Sequence, residues 1–109
     1  MDRRSRVGKR DYAILVLCVT YGLRAREVAA LTLDALDWVH ERIAIPIRKA
    51  DHSSTYPLSA PVGKAIIDYL QHGRAQSQER AIFLRACAPS MPMSYQAVAQ
   101  CVARRLKRA

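Results

Sequence analysis

Two cations in this chain have the residue type and the setting to handle a phosphate group, Arg24 and Lys49. Arginine presents a planar fork that binds two phosphate oxygens at once and stays charged at any relevant pH. Lysine is a mobile point charge that can give up a proton when its pKa is lowered. Together they could hold the non-bridging oxygens of a phosphodiester and protonate its leaving oxygen, because phosphoryl transfer depends on positioning and charge stabilisation.

The setting of Arg24 is a turn between two predicted helices. Gly22 is a natural end for the first helix, since helices often close with a left-handed residue. Arg24 is predicted in the first turn of the second helix, where a cation is poorly placed relative to the helix dipole and favours an anion. Glu27, one helical turn on, could meet part of that demand. The alternatives are an exposed arginine with a local salt bridge and, for Lys49, a solvated loop lysine.

The charge balance indicates a polyanionic partner. Eighteen basic and nine acidic residues give a net charge of +9, and half of the basic residues lie in the end segments Met1–Arg10 and Arg104–Ala109. DNA or RNA is the first candidate, and a solvated basic surface is the alternative. The three cysteines form no Cys-x-x-Cys pair, which argues against a disulfide or zinc framework. No signal peptide is recognisable and the apolar run is too short to span a bilayer, so we expect a cytoplasmic protein.

Hydrophobic periodicity predicts two helices and a hairpin in the first half. After a basic arm over residues 1–7, a wholly apolar helix from Gly8 to Tyr21 should be the buried central one. A second helix is predicted from Ala25 to Leu33, followed by a turn. Strict alternation from Arg42 to Arg48, with three isoleucines on one face, predicts a half-buried strand. The polar loop Lys49–Ser54 then leads to a return strand, Thr55–Leu58.

The second half is predicted to contain two more helices joined by a linker. Ser59 should cap the first of them, with Pro61 in its first turn and an inner face that ends near Gly73. Residues 73–80 form a linker, 81–84 a short extended piece and 88–92 a loop. Ser94 should cap the last helix. The predicted inner faces are Val62, Ile66, Ile67 and Leu70 in the one helix and Tyr95, Val98, Cys101, Val102 and Leu106 in the other; the predicted outer face of the last helix is Gln96, Gln100, Arg104, Arg105 and Lys107.

The residues around Arg24 resemble a known family. The run Asp11–Leu15 and then Thr20-Tyr21-Gly22-Leu23-Arg24-Ala25-Arg26-Glu27-Val28-Ala29-Ala30-Leu31 resembles the opening of the catalytic domain of tyrosine site-specific recombinases, the phage integrase family. The hairpin with a loop lysine and the later helices keep that family's order, so the resemblance covers nearly the whole chain. It implies a mostly helical α+β fold with a small antiparallel hairpin. It also implies a bacterial protein that is associated with the nucleoid.

The resemblance also implies roles for individual residues. Arg24 would hold the scissile phosphate, Glu27 would brace it, and Lys49 would be the general acid toward the leaving 5′ oxygen. Members of the family cut double-stranded DNA through a covalent 3′-phosphotyrosine with no metal or cofactor, and they work with other recombinase protomers. We expect the basic side chains near these elements to contact DNA, namely Arg26, Arg48, Arg104 and Arg105.

The family's second half is not recognisable in residues 1–109. It begins with His-x-x-Arg, yet none of His40, His52 and His72 has arginine at the third following position. The five tyrosines all lie in elements of the first half, where a core or strand role is expected, so none is predicted to be the nucleophile. The sequence is therefore expected to be a shortened catalytic domain that is inactive alone.

Two other functions compete with an enzyme fragment. Gly22-Leu23-Arg24-Ala25-Arg26-Glu27-Val28-Ala29 also resembles the start of a regulator-type helix-turn-helix, which would make the chain a non-catalytic DNA-binding module. That interpretation needs a recognition helix about ten residues later, where a strand is predicted instead. A third possibility is an assembly role, in which the fragment pairs with a full-length recombinase through its unfinished core.

Overall fold

The structure, a computed structural model, describes residues 5–46 and 55–108 of the chain. These residues form helices and a small three-stranded antiparallel sheet, and 53% of them are helical. The predicted class, α+β and mostly helical, is confirmed. The elements are α1 Arg6–Tyr21, α2 Ala25–Ala29, a 3₁₀ turn Leu33–Ala35, β1 Leu36–Asp37, β2 Arg42–Ala44, β3 Thr55–Pro57, α3 Ala60–His72 and α4 Tyr95–Arg108.

Helix α1 begins and ends at local capping signals. The Ser5 hydroxyl accepts a hydrogen bond from the Gly8 backbone N–H at 2.9 Å, so the helix takes in the last two residues of the predicted basic arm. Gly22 closes it in the left-handed region at φ 64°, as predicted. Leu17 is fully buried, but Val19 is 77% exposed. The expectation that this helix is buried all round is therefore wrong at its C-terminal end.

Helix α2 is shorter than predicted because the chain turns into extended pairing. It ends at Ala29, and Thr32 then pairs with Ala81 as an isolated antiparallel bridge. The Ile82 backbone N–H donates to the Leu31 carbonyl at 3.1 Å, which adds to the same contact. The backbone groups of Leu31 and Thr32 thus pair with residues 81–84, the segment predicted to be extended, and are not available to continue the helix to Leu33.

The sheet contains a strand that was predicted to be a turn. Strands β1, β2 and β3 lie side by side in antiparallel order, with Ile43 opposite both Leu36 and Tyr56. Strand β2 ends at Ala44, so the predicted strand from Arg42 to Arg48 was too long. Ile43 and Ile45 are nevertheless fully buried on either side of half-buried Ala44, as the predicted alternation requires. Ile47, Arg48 and the predicted loop Lys49–Ser54 lie outside the described residues.

The predicted N-caps of α3 and α4 are both confirmed, but the predicted inner face of each helix is partly wrong. The Ser59 hydroxyl accepts from the Val62 N–H at 3.4 Å, and the Ser94 hydroxyl accepts from the Ala97 N–H at 3.1 Å. On α3 the buried residues are Val62, Gly63, Ala65, Ile66 and Tyr69, whereas Ile67 is exposed. On α4 the buried residues are Val98 and Cys101, whereas Tyr95 and Leu106 are exposed.

The core lies where α1, α3 and α4 meet the inner face of the sheet. Helix α1 packs against α3 and α4, and α2 packs against α4. This places the turn between α1 and α2 at one end of the central helix, with its backbone anchored to the core on both sides. The fully buried hydrophobic residues are Ala13, Ile14, Leu17, Val28, Leu31, Ile43, Ile45, Val62, Ile66, Ile82 and Val98.

Candidate functional site

The turn from Gly22 to Arg24 presents an exposed arginine on a fixed backbone. Gly22 adopts φ 64° and ψ 35°, and its N–H donates to the Cys18 carbonyl at 2.9 Å. Leu23 is buried and anchors the turn to the core. Arg24 is extended, at φ −90° and ψ 162°, and exposed. It is therefore the N-cap of α2, one residue before the helical turn in which it was predicted.

Glu27 lies beside Arg24, and the contact between them involves the backbone. The Arg24 backbone N–H donates to Glu27 Oε1 at 2.8 Å. Glu27 itself is 7% exposed. A carboxylate that accepts from the N-cap backbone satisfies a donor that the helix leaves unpaired, and it lies favourably in the first turn. Glu27 thus fixes the start of α2 and with it the Cα position of Arg24.

Arg26 stacks on an aromatic side chain of the last helix. Its guanidinium carbon lies 3.8 Å above the centroid of the Tyr95 ring. This cation–π contact joins α2 to the first residue of α4 and is typical of arginine at partly exposed sites. Sequence reasoning assigned Tyr95 to the core and did not link it to Arg26. No signal in the sequence pairs two residues that are 69 positions apart.

Tyr21 ties the same turn to the end of the sheet. Its hydroxyl donates to the Pro57 carbonyl at 2.7 Å and accepts from the Ser59 N–H at 3.0 Å. The Tyr21 and Tyr56 rings lie 6.0 Å apart between centroids. The residue before Gly22 therefore holds the strand β3 and the start of α3 close to the Arg24 turn, a role that its position alone did not indicate.

Two further predicted site residues belong to the hairpin, Arg48 at the end of its first predicted strand and Lys49 in its loop. Lys49, the predicted general acid, and Arg48, a predicted DNA contact, lie outside the described residues. The strands that precede and follow the loop are described, and β3 is bonded to Tyr21 as above. The positions of Lys49 and Arg48 remain predictions.

The two arginines near the end of α4 differ in their surroundings. Arg104 is exposed. Arg105, predicted on the outer face, has a side chain only 10% exposed, and its Nη2 lies 3.8 Å from Asp11 Oδ2. Asp11 also pairs with Arg10 at 2.9 Å. The prediction of an outward Arg105 is therefore wrong: this side chain takes part in an ion pair between α1 and α4.

The Asp11 cluster also includes a thiol. Burial, followed by the adjacent Asp11 carboxylate, raises the pKa of Cys101 to about 12. Burial, followed by the charge of Glu27, raises the pKa of Cys18 as well. Cys87 is exposed, and the hydrogen bond from Arg85 lowers its pKa. The raised pKa values keep the thiols of half-buried Cys18 and buried Cys101 protonated near neutral pH.

The geometry around Arg24 suits the binding of an oxyanion. An arginine on a backbone held at both ends can donate from its guanidinium to two oxygens of one phosphate group at little further cost in ordering. Arg26, stacked on Tyr95 two residues away, adds a second positive charge. Among the described residues, no group of three or more His, Cys, Asp or Glu side chains could hold a metal ion, and no helix has the length and apolar character needed to cross a membrane.

Comparison with known proteins gives a consistent picture. Residues 1–109 match the family described as "Phage integrase family". In Sinorhizobium fredii, the protein named "Putative integrase/recombinase y4rA" is 43% identical over 89 residues, which are 82% of this chain and 21% of that protein. A second, "Putative integrase/recombinase y4gC", is 42% identical over 82 residues, which are 75% of this chain and 43% of that protein. The chain thus spans less than half the length of these curated relatives. No solved structure matches it significantly.

Proposed function

This chain belongs to the phage integrase family, and from that premise we propose that residues 1–109 form part of the catalytic domain of a tyrosine recombinase. The intact protein would cut and rejoin double-stranded DNA and would work with further recombinase protomers. The observation that carries the proposal is the exposed Arg24 at the start of α2, whose backbone N–H is held by buried Glu27 at 2.8 Å. This is the position at which the family places its phosphate-binding arginine.

In the proposed reaction Arg24 binds the non-bridging oxygens of the scissile phosphate. The tyrosine hydroxyl gives up its proton to solvent as its oxygen forms a bond to phosphorus. The bond from phosphorus to the 5′ oxygen breaks at the same time, which gives a 3′-phosphotyrosine. Lys49 delivers a proton to the departing 5′ oxygen. The arginine stabilises charge that grows in the transition state, so its contribution is to rate as well as to binding. No step calls for a metal or a cofactor.

We assign the nucleophile to a tyrosine outside this segment. Two of the described tyrosines are committed to the fold: the Tyr21 hydroxyl bonds Pro57 and Ser59, and the Tyr69 hydroxyl accepts from the Leu84 N–H at 3.1 Å. Tyr95 supports Arg26 with its ring face. Moving any of them to a phosphate would break these contacts.

The helix-turn-helix alternative lacks its recognition element. After α2 the described chain forms the 3₁₀ turn Leu33–Ala35 and the strands β1 and β2, where that motif requires a second helix. A recognition helix places its N-terminal residues in the major groove, and short strands at this position offer no equivalent. The observed order of elements therefore favours the recombinase function.

The experiment that tests the proposal is a cleavage assay in the intact recombinase that carries this segment. A variant with Arg24→Ala should accumulate covalent protein–DNA complex at least about a hundredfold more slowly, because loss of one such donor costs that much in rate. The rate for Arg24→Lys should lie between those of the parent and of Arg24→Ala, because lysine keeps the positive charge but lacks the planar guanidinium.

Arg80→Ala is the matched control. It also removes one exposed arginine, but Arg80 is paired with Asp34 at 2.6 Å and belongs to no proposed contact. Its cleavage rate should stay close to that of the parent. Near-normal cleavage by Arg24→Ala, or an equal loss in both variants, would refute the assignment of Arg24.

A further inference from the structure

A cavity of about 180 Å³ opens beside the first turns of α1, away from the Arg24 turn. The described residues that line it include no carboxylate side chain. Its polar lining consists of hydrogen-bond donors on α1, on α3 and on the segment after Phe83. These polar side chains are Arg6, Arg10, Tyr69 and Arg85.

Two of the lining side chains are built into the core. Arg10 is 8% exposed and donates from Nε to Asp11 Oδ1 at 3.0 Å and from Nη1 to the Leu84 carbonyl at 3.4 Å. Tyr69 is 2% exposed and stacks on Phe83 at 5.4 Å between ring centroids. The Tyr69 hydroxyl oxygen accepts a hydrogen bond from the Leu84 N–H. The O–H proton of Tyr69 is therefore available to donate a hydrogen bond to a ligand.

The other two arginines are exposed, and each donates one side-chain hydrogen bond within the described residues. Arg6 donates from Nε to the Gly73 carbonyl at 3.0 Å. Arg85 donates from Nη2 to the weak acceptor Cys87 Sγ at 3.7 Å. A glycine at position 73 permits the close approach of Arg6 to this backbone, because a Cβ there would lie 2.9 Å from Tyr69 Cδ1 and 3.1 Å from the Arg6 carbonyl oxygen. These bonds orient both guanidinium groups and leave their other N–H donors for an acceptor.

Positive charges outnumber negative ones around the cavity. Arg6, Arg10 and Arg85 contribute three positive charges, and the adjacent Asp11 offsets one of them. The first turn of α1 contains no acidic residue, so its dipole adds to the same sign. A group with two negative charges and several oxygens would balance this charge and accept from all the donors at once.

We propose that this cavity binds a phosphate group through Arg6, Arg85 and the Tyr69 hydroxyl, with Arg10 held behind them by Asp11. The volume equals that of about six waters, which is enough for a phosphate and part of its hydration. The sixteen residues of α1 place the cavity about 24 Å from the Arg24 turn, so it is a separate site. The phosphate can belong to the DNA backbone or be free in solution.

The test is a titration of the 109-residue chain with inorganic phosphate at constant ionic strength, followed by amide NMR shifts. Saturable shifts are expected at residues around the cavity. The double variant Arg6→Ala/Arg85→Ala should bind phosphate about tenfold or more weakly, because charge-assisted hydrogen bonds are lost. Tyr69→Phe keeps the ring and should weaken binding in the same direction, with retained amide dispersion as proof of folding.

The matched control is Arg80→Ala/Lys64→Ala, which removes the same two charges from exposed positions away from the cavity lining. It should bind phosphate like the parent chain. Equal weakening in this control would mean that net charge alone attracts phosphate and would overturn the proposal. An absence of saturable shifts around the cavity would overturn it as well.

Addition of a short DNA duplex separates the two sources of phosphate. If a duplex displaces inorganic phosphate from the cavity, the backbone of DNA is the source; if both bind together, the source is a free phosphate. Repeating the displacement with Arg24→Ala keeps this inference distinct from the proposed function. Phosphate binding at the cavity should survive that variant, and its loss there would refute the separation of the two sites.

Discussion

A glutamate three residues after an arginine can neutralise the guanidinium or hold the backbone, and the contact seen between Glu27 and Arg24 is of the second kind. The carboxylate oxygen accepts from the Arg24 N–H at 2.8 Å. This half of a capping box contributes on the order of 1 kcal/mol to stability. Under the proposed function the exposed Arg24 side chain acts on the scissile phosphate. At the scale of residues, Glu27 therefore fixes the backbone position of Arg24.

The three cysteines give a residue-scale prediction about reactivity. Cys87 is exposed and its pKa is lowered by Arg85, whereas Cys101 is 1% exposed with its pKa raised to about 12. Because the thiolate is the nucleophile, iodoacetamide at pH 8 should modify Cys87 first and Cys101 only after unfolding. Peptide mass spectrometry over a time course measures both rates.

Two controls sharpen this prediction. Cys87→Ser should remove the fast phase and leave the slow one unchanged. Urea should make Cys101 as reactive as an ordinary thiol. If Cys101 in the folded chain reacted as fast as Cys87, the packing of α4 against α1 would be contradicted.

At the scale of elements, the features that could be predicted are those set by neighbours in sequence. Gly22, Ser59 and Ser94 end or begin helices as predicted, because a cap depends on residues three or four positions away. The C-terminal part of the predicted second helix was wrong, because the bridge from Thr32 to Ala81 takes the chain out of the helix. Its partner lies 49 positions away, beyond any local signal.

The same distinction applies to the site. Arg24 and Glu27 could be paired from their spacing, since residues three apart on a helix are neighbours. The stacking of Arg26 on Tyr95 and the inward position of Arg105 could not, since both depend on how α4 lies against the rest of the fold. Hydrophobic periodicity gives the apolar stripe of a helix and leaves open which part of the stripe a neighbour covers.

The contact between α1 and α4 yields an element-scale prediction. Asp11 is buried and pairs with Arg10 at 2.9 Å and with Arg105 at 3.8 Å. Asp11→Ala should lower the free energy of unfolding by about 3–5 kcal/mol, because it leaves a buried positive charge uncompensated. Arg105→Ala should cost less, since Arg10 still pairs with Asp11. Urea denaturation measures both values.

The neighbouring ion pair on α1 is the control. Lys9 pairs with Asp68 at 3.0 Å, but the Asp68 side chain is 46% exposed. Asp68→Ala should cost at most about 1 kcal/mol, because water screens an exposed pair. Equal losses for Asp11→Ala and Asp68→Ala would show that burial does not set the strength of the α1–α4 contact.

At the scale of the whole molecule, the described start of α1 lies beside the last turns of α4. Ser5 and Gly8 of α1 line a cavity of about 260 Å³ with Arg104 and Arg105 of α4. Two basic side chains of α4 thus lie near the start of α1, while Arg24 lies beyond the other end of this helix. The described part measures 36 × 31 × 24 Å. Its longest dimension is close to the length of one helical turn of DNA, about 34 Å.

This distribution of charge predicts that binding of duplex DNA depends steeply on salt. Each phosphate neutralised by a lysine or arginine releases counterions, and four such contacts would weaken binding about a hundredfold between about 50 and 200 mM salt. Fluorescence anisotropy with duplexes of different sequence should give the same dependence for each, because contacts to phosphates carry no sequence information.

Two variants control this prediction. The double variant Arg26→Ala/Arg104→Ala should lower the slope of the logarithm of the binding constant against the logarithm of the salt concentration by about two units. Arg80→Ala, whose charge is paired with Asp34, should leave this slope nearly unchanged. An affinity that stays constant over this range of salt would mean that the net charge of +9 is spread over a solvated surface and does not form a DNA-binding face.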